Sequence, residues 1–235
     1  MLDITLSRDY YRTAPAPRVS VLMTVYNSGE YIKRTMQSVL SQTFEDFEFI
    51  IINDGSTDNS DKIVKSFKDK RIRYYKFVKI NKGYKNLYKA INFGLGLCKG
   101  EYIMRIDADD ICRRDRIEKQ KRFLDRNDKI FMIGTSCDII DKDGKIIGEI
   151  IKTQYPSFLY KHRLKTSNPF IHSSIMFRNI GLLYPNSEEK FFYLSLVSKG
   201  KRLLNIKDKL VQYRINPNGV TANGYNNLTS QRGGN

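Results

Sequence analysis

Apolar residues along the first half of the chain fall alternately in short continuous runs and at helical spacing. Val19-Ser20-Val21-Leu22-Met23-Thr24-Val25 is short and rich in β-branched residues, which predicts a buried strand. Asn27-Ser28 then offers a helix cap, and Tyr31, Ile32, Thr35, Met36, Val39 and Leu40 recur on one helical face. Residues 47–52 read as a second strand. Ser56 to Ser60 can cap a second helix that carries Ile63, Val64 and Phe67 on one side. A third strand over 72–78, a turn at Asn81-Lys82-Gly83, a helix over 85–98, a strand over 101–106 and a helix over 114–125 complete the rhythm. Such alternation predicts an α/β fold with a parallel sheet covered on both faces. Right-handed crossovers then gather the C-terminal ends of the strands on one rim, where open α/β sheets bind ligands.

After residue 130 the rhythm changes. Residues 130–137 predict a strand, 138–151 a hairpin turning at Asp141-Lys142-Asp143-Gly144, 156–165 a helix, 173–177 a short strand, 187–199 a helix and 202–213 extended segments. This half reads as a mixed extension of the same sheet, with no linker to make it independent. Residues 1–17 read as an N-terminal arm. Residues 215–235, rich in Asn and Gly, read as a flexible C-terminal tail.

With 235 residues, 40% hydrophobic and 12% aromatic, the chain can bury a real core, so disorder is excluded as the whole answer. No apolar stretch approaches the roughly 20 residues of a membrane helix. The N-terminus lacks a basic-then-apolar leader, so the expectation is a cytoplasmic protein. Three cysteines and two histidines fit neither a disulfide framework nor a zinc site. The formal net charge of +16 is lopsided: residues 1–110 carry 18 basic and 14 acidic side chains, residues 111–235 carry 23 and 11. A field of that sign attracts nucleic acid, anionic lipid or phosphorylated substrates, or simply keeps the protein soluble.

The chemistry-bearing residues sit at the strand ends. Thr24-Val25-Tyr26-Asn27 follows the first strand, Asn53-Asp54-Gly55-Ser56-Thr57-Asp58 the second, and Asp107-Ala108-Asp109-Asp110 the fourth. Three carboxylates within four residues repel one another unless something neutralises them, and a hard cation such as Mn2+ or Mg2+ does this well. In an extended segment Asp107 and Asp109 would point the same way. The alternative is helix capping, which accounts for one aspartate and not three. Asp54 is either part of a turn or an acceptor for a base N–H or a ribose hydroxyl.

These segments, with Gln42-Thr43-Phe44, Phe47-Glu48-Phe49, Lys99-Gly100-Glu101-Tyr102-Ile103, Asp115-Arg116-Ile117-Glu118-Lys119-Gln120 and Asn168-Pro169-Phe170 with His172, resemble in order and spacing the family 2 glycosyltransferases of the GT-A fold. The resemblance covers roughly residues 18–220. It implies a Rossmann-like nucleotide-sugar-binding half over 18–112 and an acceptor-side half of the same domain, with a mixed sheet, over 113–214. It implies that Thr24, Val25, Tyr26, Asn27 and Asp54 hold the nucleotide base, usually uracil. Asp107 and Ala108 would lie at the ribose, and Asp109, with Asp107, at the Mn2+ or Mg2+ that bridges the diphosphate. Asp110 would cap the next helix, Arg116 would steady the acidic loop by ion pairing, and Lys82 and Lys85 either meet the diphosphate or are solvated. The catalytic base falls on Glu189, with Glu188 one position away, where the family usually has aspartate. The alternative for both glutamates is first-turn helix carboxylates favoured by the dipole. Asn216 stands where the family often has His, and Arg214 with the 215–225 loop could close over the phosphates. His172 either lines the acceptor side or is structural.

The implied activity is inverting transfer of a sugar from a nucleotide diphosphate, UDP by preference, to an acceptor hydroxyl in polysaccharide, glycan or glycolipid synthesis. The basic second half adds peripheral contact with an anionic membrane surface at its inner face. Two rivals stand beside this reading. One is a catalytically impaired family member acting as a scaffold. The other is a basic nucleic-acid-binding module, which would want exposed aromatics among its cations, whereas Tyr74-Tyr75-Lys76-Phe77 reads as a buried strand.

Overall fold

The computed structural model describes residues 2–3, 16–77, 85–156, 158–185 and 189–215. The elements are β1 (Leu2–Asp3), β2 (Val19–Val25), α1 (Ile32–Leu40), β3 (Phe47–Asn53), α2 (Ser60–Ser66), β4 (Ile72–Phe77), α3 (Lys85–Leu97), β5 (Tyr102–Asp107), β6 (Ile111–Cys112), α4 (Arg116–Arg126), β7 (Ile130–Ile140), β8 (Ile146–Ile150), α5 (Leu159–Thr166), β9 (Met176–Arg178), α6 (Glu189–Ser198) and β10 (Arg202–Arg214).

One sheet runs β1-β4-β3-β2-β5-β9-β7-β10-β6, with β8 paired to β7. β4, β3, β2 and β5 are parallel neighbours. β9 is antiparallel to both β5 and β7, and β10 runs parallel to β7. Every residue of β2 and β3 is buried, as expected of strands covered on both faces. Alternation sends Val19, Val21 and Met23 into one core with Met36, Val39, Ile117 and Leu124 of α1 and α4. It sends Leu22, Ile50 and Ile52 into a second core with Ile91, Leu164, Phe192 and Leu196 of α3, α5 and α6. At the strands' N-terminal ends, Glu48 is buried and accepts from Ser20 Oγ at 2.6 Å and the Lys99 amide at 2.7 Å, with Arg73 as its ionic partner.

Several expectations change. Leu2–Asp3 of the arm pairs antiparallel with β4 (Leu2 opposite Phe77). Asn27 caps no helix: its side chain accepts from the Thr57 amide, while the amides of Tyr31 and Ile32 start α1 on the Ser28 carbonyl. The 173–177 strand begins only at Met176. His172–Ser174 forms a 3₁₀ turn, because Ser174 Oγ donates to Ile171 O at 2.8 Å and draws the backbone out of the ladder. The extended segments over 202–213 are one 13-residue strand, irregular between Ile206 and Lys209, where Lys209 reaches Asp138 and Glu149. Of Tyr74-Tyr75-Lys76-Phe77 only Tyr75 is fully buried. The turn at 81–83 and the tail from 216 lie outside the described residues. No helix among the described residues is long and apolar enough to cross a membrane.

Candidate active site

Register alone brings three loops to one level. Thr24 lies opposite Asp107 of β5, and Val25 opposite Asn53 of β3. With neighbouring strands about 4.8 Å apart, the Asn53 and Asp107 ends are about 10 Å from each other across β2. The first two loops are then knitted together. The Asn27 amide donates to Ser56 Oγ at 3.1 Å, Asn27 Oδ1 accepts from the Thr57 amide at 2.8 Å, and the Asp54 amide donates to Val25 O at 2.8 Å. Two left-handed residues, Asn27 (φ 47°) and Gly55 (φ 73°), make these turns, and Asn and Gly are the types that bear such angles most easily. Thr24 and Val25 are buried, whereas Tyr26 is 46% exposed at the mouth of the rim.

The acidic loop is built differently. β5 ends at Asp107 and a turn begins at Ala108, so strand alternation does not orient Asp109 relative to Asp107. Arg105, fully buried, donates from Nη1 to Leu22 O and from Nη2 to Asp107 Oδ1 at 2.6 Å. α1 braces the loop from below, Thr35 Oγ1 donating to Ala108 O at 2.9 Å. Asp110 does not cap the following helix. It is buried, and its Oδ1 accepts the Arg214 amide at 2.8 Å. Burial first, and then the charges of Asp109 and Asp107, push its carboxyl well above the usual range. Arg214 is bound to the backbone of its neighbours. Its guanidinium is buried, donates to the carbonyls of Asp109 and Lys142 at 2.8 and 2.9 Å, and lies over the Tyr31 ring. Arg116 makes no ion pair among the described residues. It donates to Arg105 O at 2.7 Å and to Gln120 Oε1 at 2.9 Å, tying the strand rather than the carboxylates.

Asp107 and Asp109 are half-buried at the rim. Among the described residues no group of three or more His, Cys, Asp or Glu side chains converges on one point. Asp107 and Asp109 offer hard oxygen donors of the kind that suits Mg2+ and Mn2+.

A second cluster collects residues from α3, the loop after α5, the 3₁₀ turn and α6. Tyr88 Oη donates to Glu189 Oε2 at 3.1 Å and accepts from the Glu189 amide at 3.1 Å. Asn168 Nδ2 donates to Glu189 Oε1 at 3.1 Å. Both carboxylate oxygens are thus held by neutral donors, and each keeps lone-pair capacity for one more proton donor. Ser167, Asn168, Glu189 and Lys190 line an open concavity of about 290 Å³. Behind it His172 Nε2 lies 3.0 Å from Tyr184 Oη, and the Tyr184 ring stacks on Phe192 at 3.9 Å. Burial, reinforced by the charge of Arg105, lowers the His172 pKa to about 4, so the imidazole is neutral at physiological pH. Burial likewise raises the Tyr184 phenol. Arg105, Asp107 and Glu189 all act electrostatically on both rings.

The structure thus brings Thr24, Val25, Tyr26, Asn27, Asp54, Asp107, Ala108 and Asp109 to one rim, and holds Glu189 in the concavity lined by Ser167, Asn168 and Lys190. Lys82, Glu188 and Asn216 lie outside the described residues. Sequence reasoning missed Tyr88, Tyr184 and Arg105, and assigned no role to Asn168. Tyr88 is at apolar helical spacing and reads as core. Only a segment already matched on other grounds, Asn168-Pro169-Phe170, carried any signal.

A family model described as "Glycosyl transferase family 2" matches residues 20–184. The chain is 32% identical over 217 residues to the Escherichia coli "UDP-Glc:alpha-D-GlcNAc-diphosphoundecaprenol beta-1,3-glucosyltransferase WfaP", covering 91% of this chain and 83% of that protein. It superposes on S. aureus TarS (residues 1–349) in complex with UDP-GlcNAc with a TM-score of 0.69 at 18% identity, over 87% of this chain and 60% of that one. It superposes on the mannosyltransferase PcManGT of Pyrobaculum calidifontis, in complex with GDP-Man and Mn2+, with a TM-score of 0.65 at 15% identity, over 94% and 66%. The fold is GT-A, and the chain spans about 60% of the TarS chain it matches.

Proposed function

The chain belongs to glycosyl transferase family 2, and on that premise we propose that it transfers a sugar from a UDP donor, with inversion at the anomeric carbon, to a hydroxyl of a lipid-linked glycan. In this reading Thr24, Val25, Tyr26, Asn27 and Asp54 hold the base, Asp107 and Ala108 lie at the ribose, and Lys82 meets the diphosphate. Asp109, with Asp107, would hold Mn2+ or Mg2+, which when bound neutralises charge on the departing diphosphate. Arg105 orients Asp107 through its 2.6 Å contact. Arg214 keeps the acidic turn closed through the Asp109 carbonyl and the Asp110 carboxyl.

Glu189 accepts the proton of the attacking hydroxyl, on the face of the sugar opposite the diphosphate. Tyr88 and Asn168 fix the rotamer from which it does so. Glu188 remains the neighbouring alternative. The observation that carries the reading is a Glu189 held at both carboxylate oxygens and lining an open concavity.

The named activity of WfaP supports a diphosphoundecaprenol-linked acceptor, the TarS complex a UDP-sugar, and the PcManGT complex a cation. Peripheral contact with an anionic membrane surface belongs to this reading, since such an acceptor is anchored in a bilayer. The test is an incubation with α-linked UDP-sugars and a diphosphoundecaprenol-linked GlcNAc, followed by NMR of the product. A β-linked product is expected, and an α-linked product would rule out inversion and with it the role given to Glu189.

A further inference from the structure

Between Glu149 and Glu188 the chain has no Asp or Glu, while Lys152, Lys161, Arg163, Lys165 and Arg178 all lie in that stretch. α5 lies in this stretch. Tyr160 and Leu164 bury one side of this helix. Phe158, Lys161, His162 and Lys165, at i, i+3, i+4 and i+7, share the opposite, exposed side. Phe158 is 76% exposed and Leu159, beside it, 37%. Arg163 stacks over Tyr155 at 4.6 Å. None of Lys161, Arg163 and Lys165 makes an ion pair among the described residues. By contrast, the exposed Ile146 and Ile147 of β8 share their strand with Glu149, which is bonded to Lys209. The C-terminal end of α5 runs into Ser167 and Asn168, which line the Glu189 concavity; on its other wall Lys190 adjoins Phe191, 46% exposed. An eight-residue helix is about 12 Å long, so the Phe158 end is within one helix length of that concavity.

We propose that the Phe158–Lys165 face of α5 is a docking surface for an anionic lipid bilayer, with Phe158 entering the headgroup boundary and Lys161 and Lys165 paired with lipid phosphates. Charge complementarity selects this occupant: an acid-free face carrying an aromatic and unpaired lysines is the composition of an interfacial helix. The contact would set the Glu189 concavity beside the membrane, where a lipid-linked hydroxyl arrives. The inference rests on the proposed acceptor class for its purpose, and not for its measurement.

The experiment is co-sedimentation of the full chain, at low salt, with vesicles of phosphatidylcholine alone and of phosphatidylcholine and phosphatidylglycerol in equal parts. Binding is expected only to the second. Each lysine at such a surface raises partitioning about 5-fold, so K161Q/K165Q should lower it roughly 25-fold. F158S should lower it several-fold further, which a purely electrostatic attraction would not show. The UDP-induced thermal shift in the presence of Mn2+ is the folding control and should be unchanged in all variants. Absence of sedimentation, or sedimentation that K161Q/K165Q and F158S leave intact, would overturn the proposal. Vesicle binding without sugar transfer would sink the proposed function and leave this surface standing. Transfer without vesicle binding would do the reverse.

Discussion

On the proposed donor side of the rim, Thr24, Asn53 and Asp107 are aligned by strand register, and their loops are stitched by hydrogen bonds between residues 29 to 32 positions apart. On the proposed acceptor side, the Glu189 carboxylate is held by one hydroxyl 101 positions away and one side-chain amide 21 positions away. The first arrangement comes from backbone geometry with many redundant ties, so the loss of one side chain leaves its shape. The second comes from a few side chains on separate elements, so single atoms decide its geometry. Stability should therefore reside in the donor-side strands, and the finest control of rate in the acceptor-side cluster.

The most drastic way to separate the two is to remove chemistry without removing structure. Glu189→Gln keeps shape and can still meet Tyr88 and Asn168, yet cannot take a proton. Transfer should fall about 10²- to 10⁴-fold with the donor dissociation constant unchanged. A radiolabel transfer assay with parallel donor titration checks this, and full transfer would remove the base assignment. At the strands' opposite ends, Glu48→Ala strips the buried partner from Arg73, Ser20 and the Lys99 amide. Denaturant unfolding should show a loss of about 3–5 kcal/mol. A loss under 1 kcal/mol would contradict the view that the donor half carries the stability.

The acceptor cluster has its own acid limit. The folded pKa of His172, about 4, lies below the unfolded value of about 6.5. The unfolded state therefore binds the extra proton between those values, and stability, complete above about pH 6.5, is lost as pH falls toward 4. The loss amounts to up to about 3 kcal/mol. Urea midpoints across this window should fall more steeply for the native protein than for His172→Gln, and parallel curves would count against a buried neutral imidazole. The smallest expected effect is that of Tyr88→Phe, which deletes only the hydroxyl on Glu189. It should lower kcat about 10-fold, as the loss of one hydrogen bond to a charged group does, with little change in donor KM or melting temperature. A change confined to KM would mean that Tyr88 serves binding instead of the base.

The same contrast explains what could be read from the sequence. Strands buried on both faces read as β-branched runs, and donor-side residues follow each run directly, so Val19–Val25, Asn53 to Asp58 and Asp107 to Asp110 were legible as segments. Long-range partners were not. Asp110 reads as a cap because nothing near it announces that Arg214 will take its carboxylate. Asn27 reads as a cap because its real partner, the Thr57 amide, belongs to the next loop. Tyr88 and Tyr184 read as packing because a ring in a core and a hydroxyl aimed at a carboxylate have the same sequence pattern. The start of β9 was misplaced because serine hydroxyls can capture backbone groups that a ladder would otherwise use.

The central claim is that Asp109 and Asp107 grip a divalent ion and, through it, the donor's diphosphate. The most direct test is the UDP-induced shift in melting temperature, with and without Mn2+, for the native protein and for Asp109→Asn, since a ligand stabilises the folded state in proportion to how tightly it binds. The account predicts a clear shift only when Mn2+ and UDP are present together, and its loss in the variant. An equal shift without the metal, or one that Asp109→Asn leaves untouched, would contradict it.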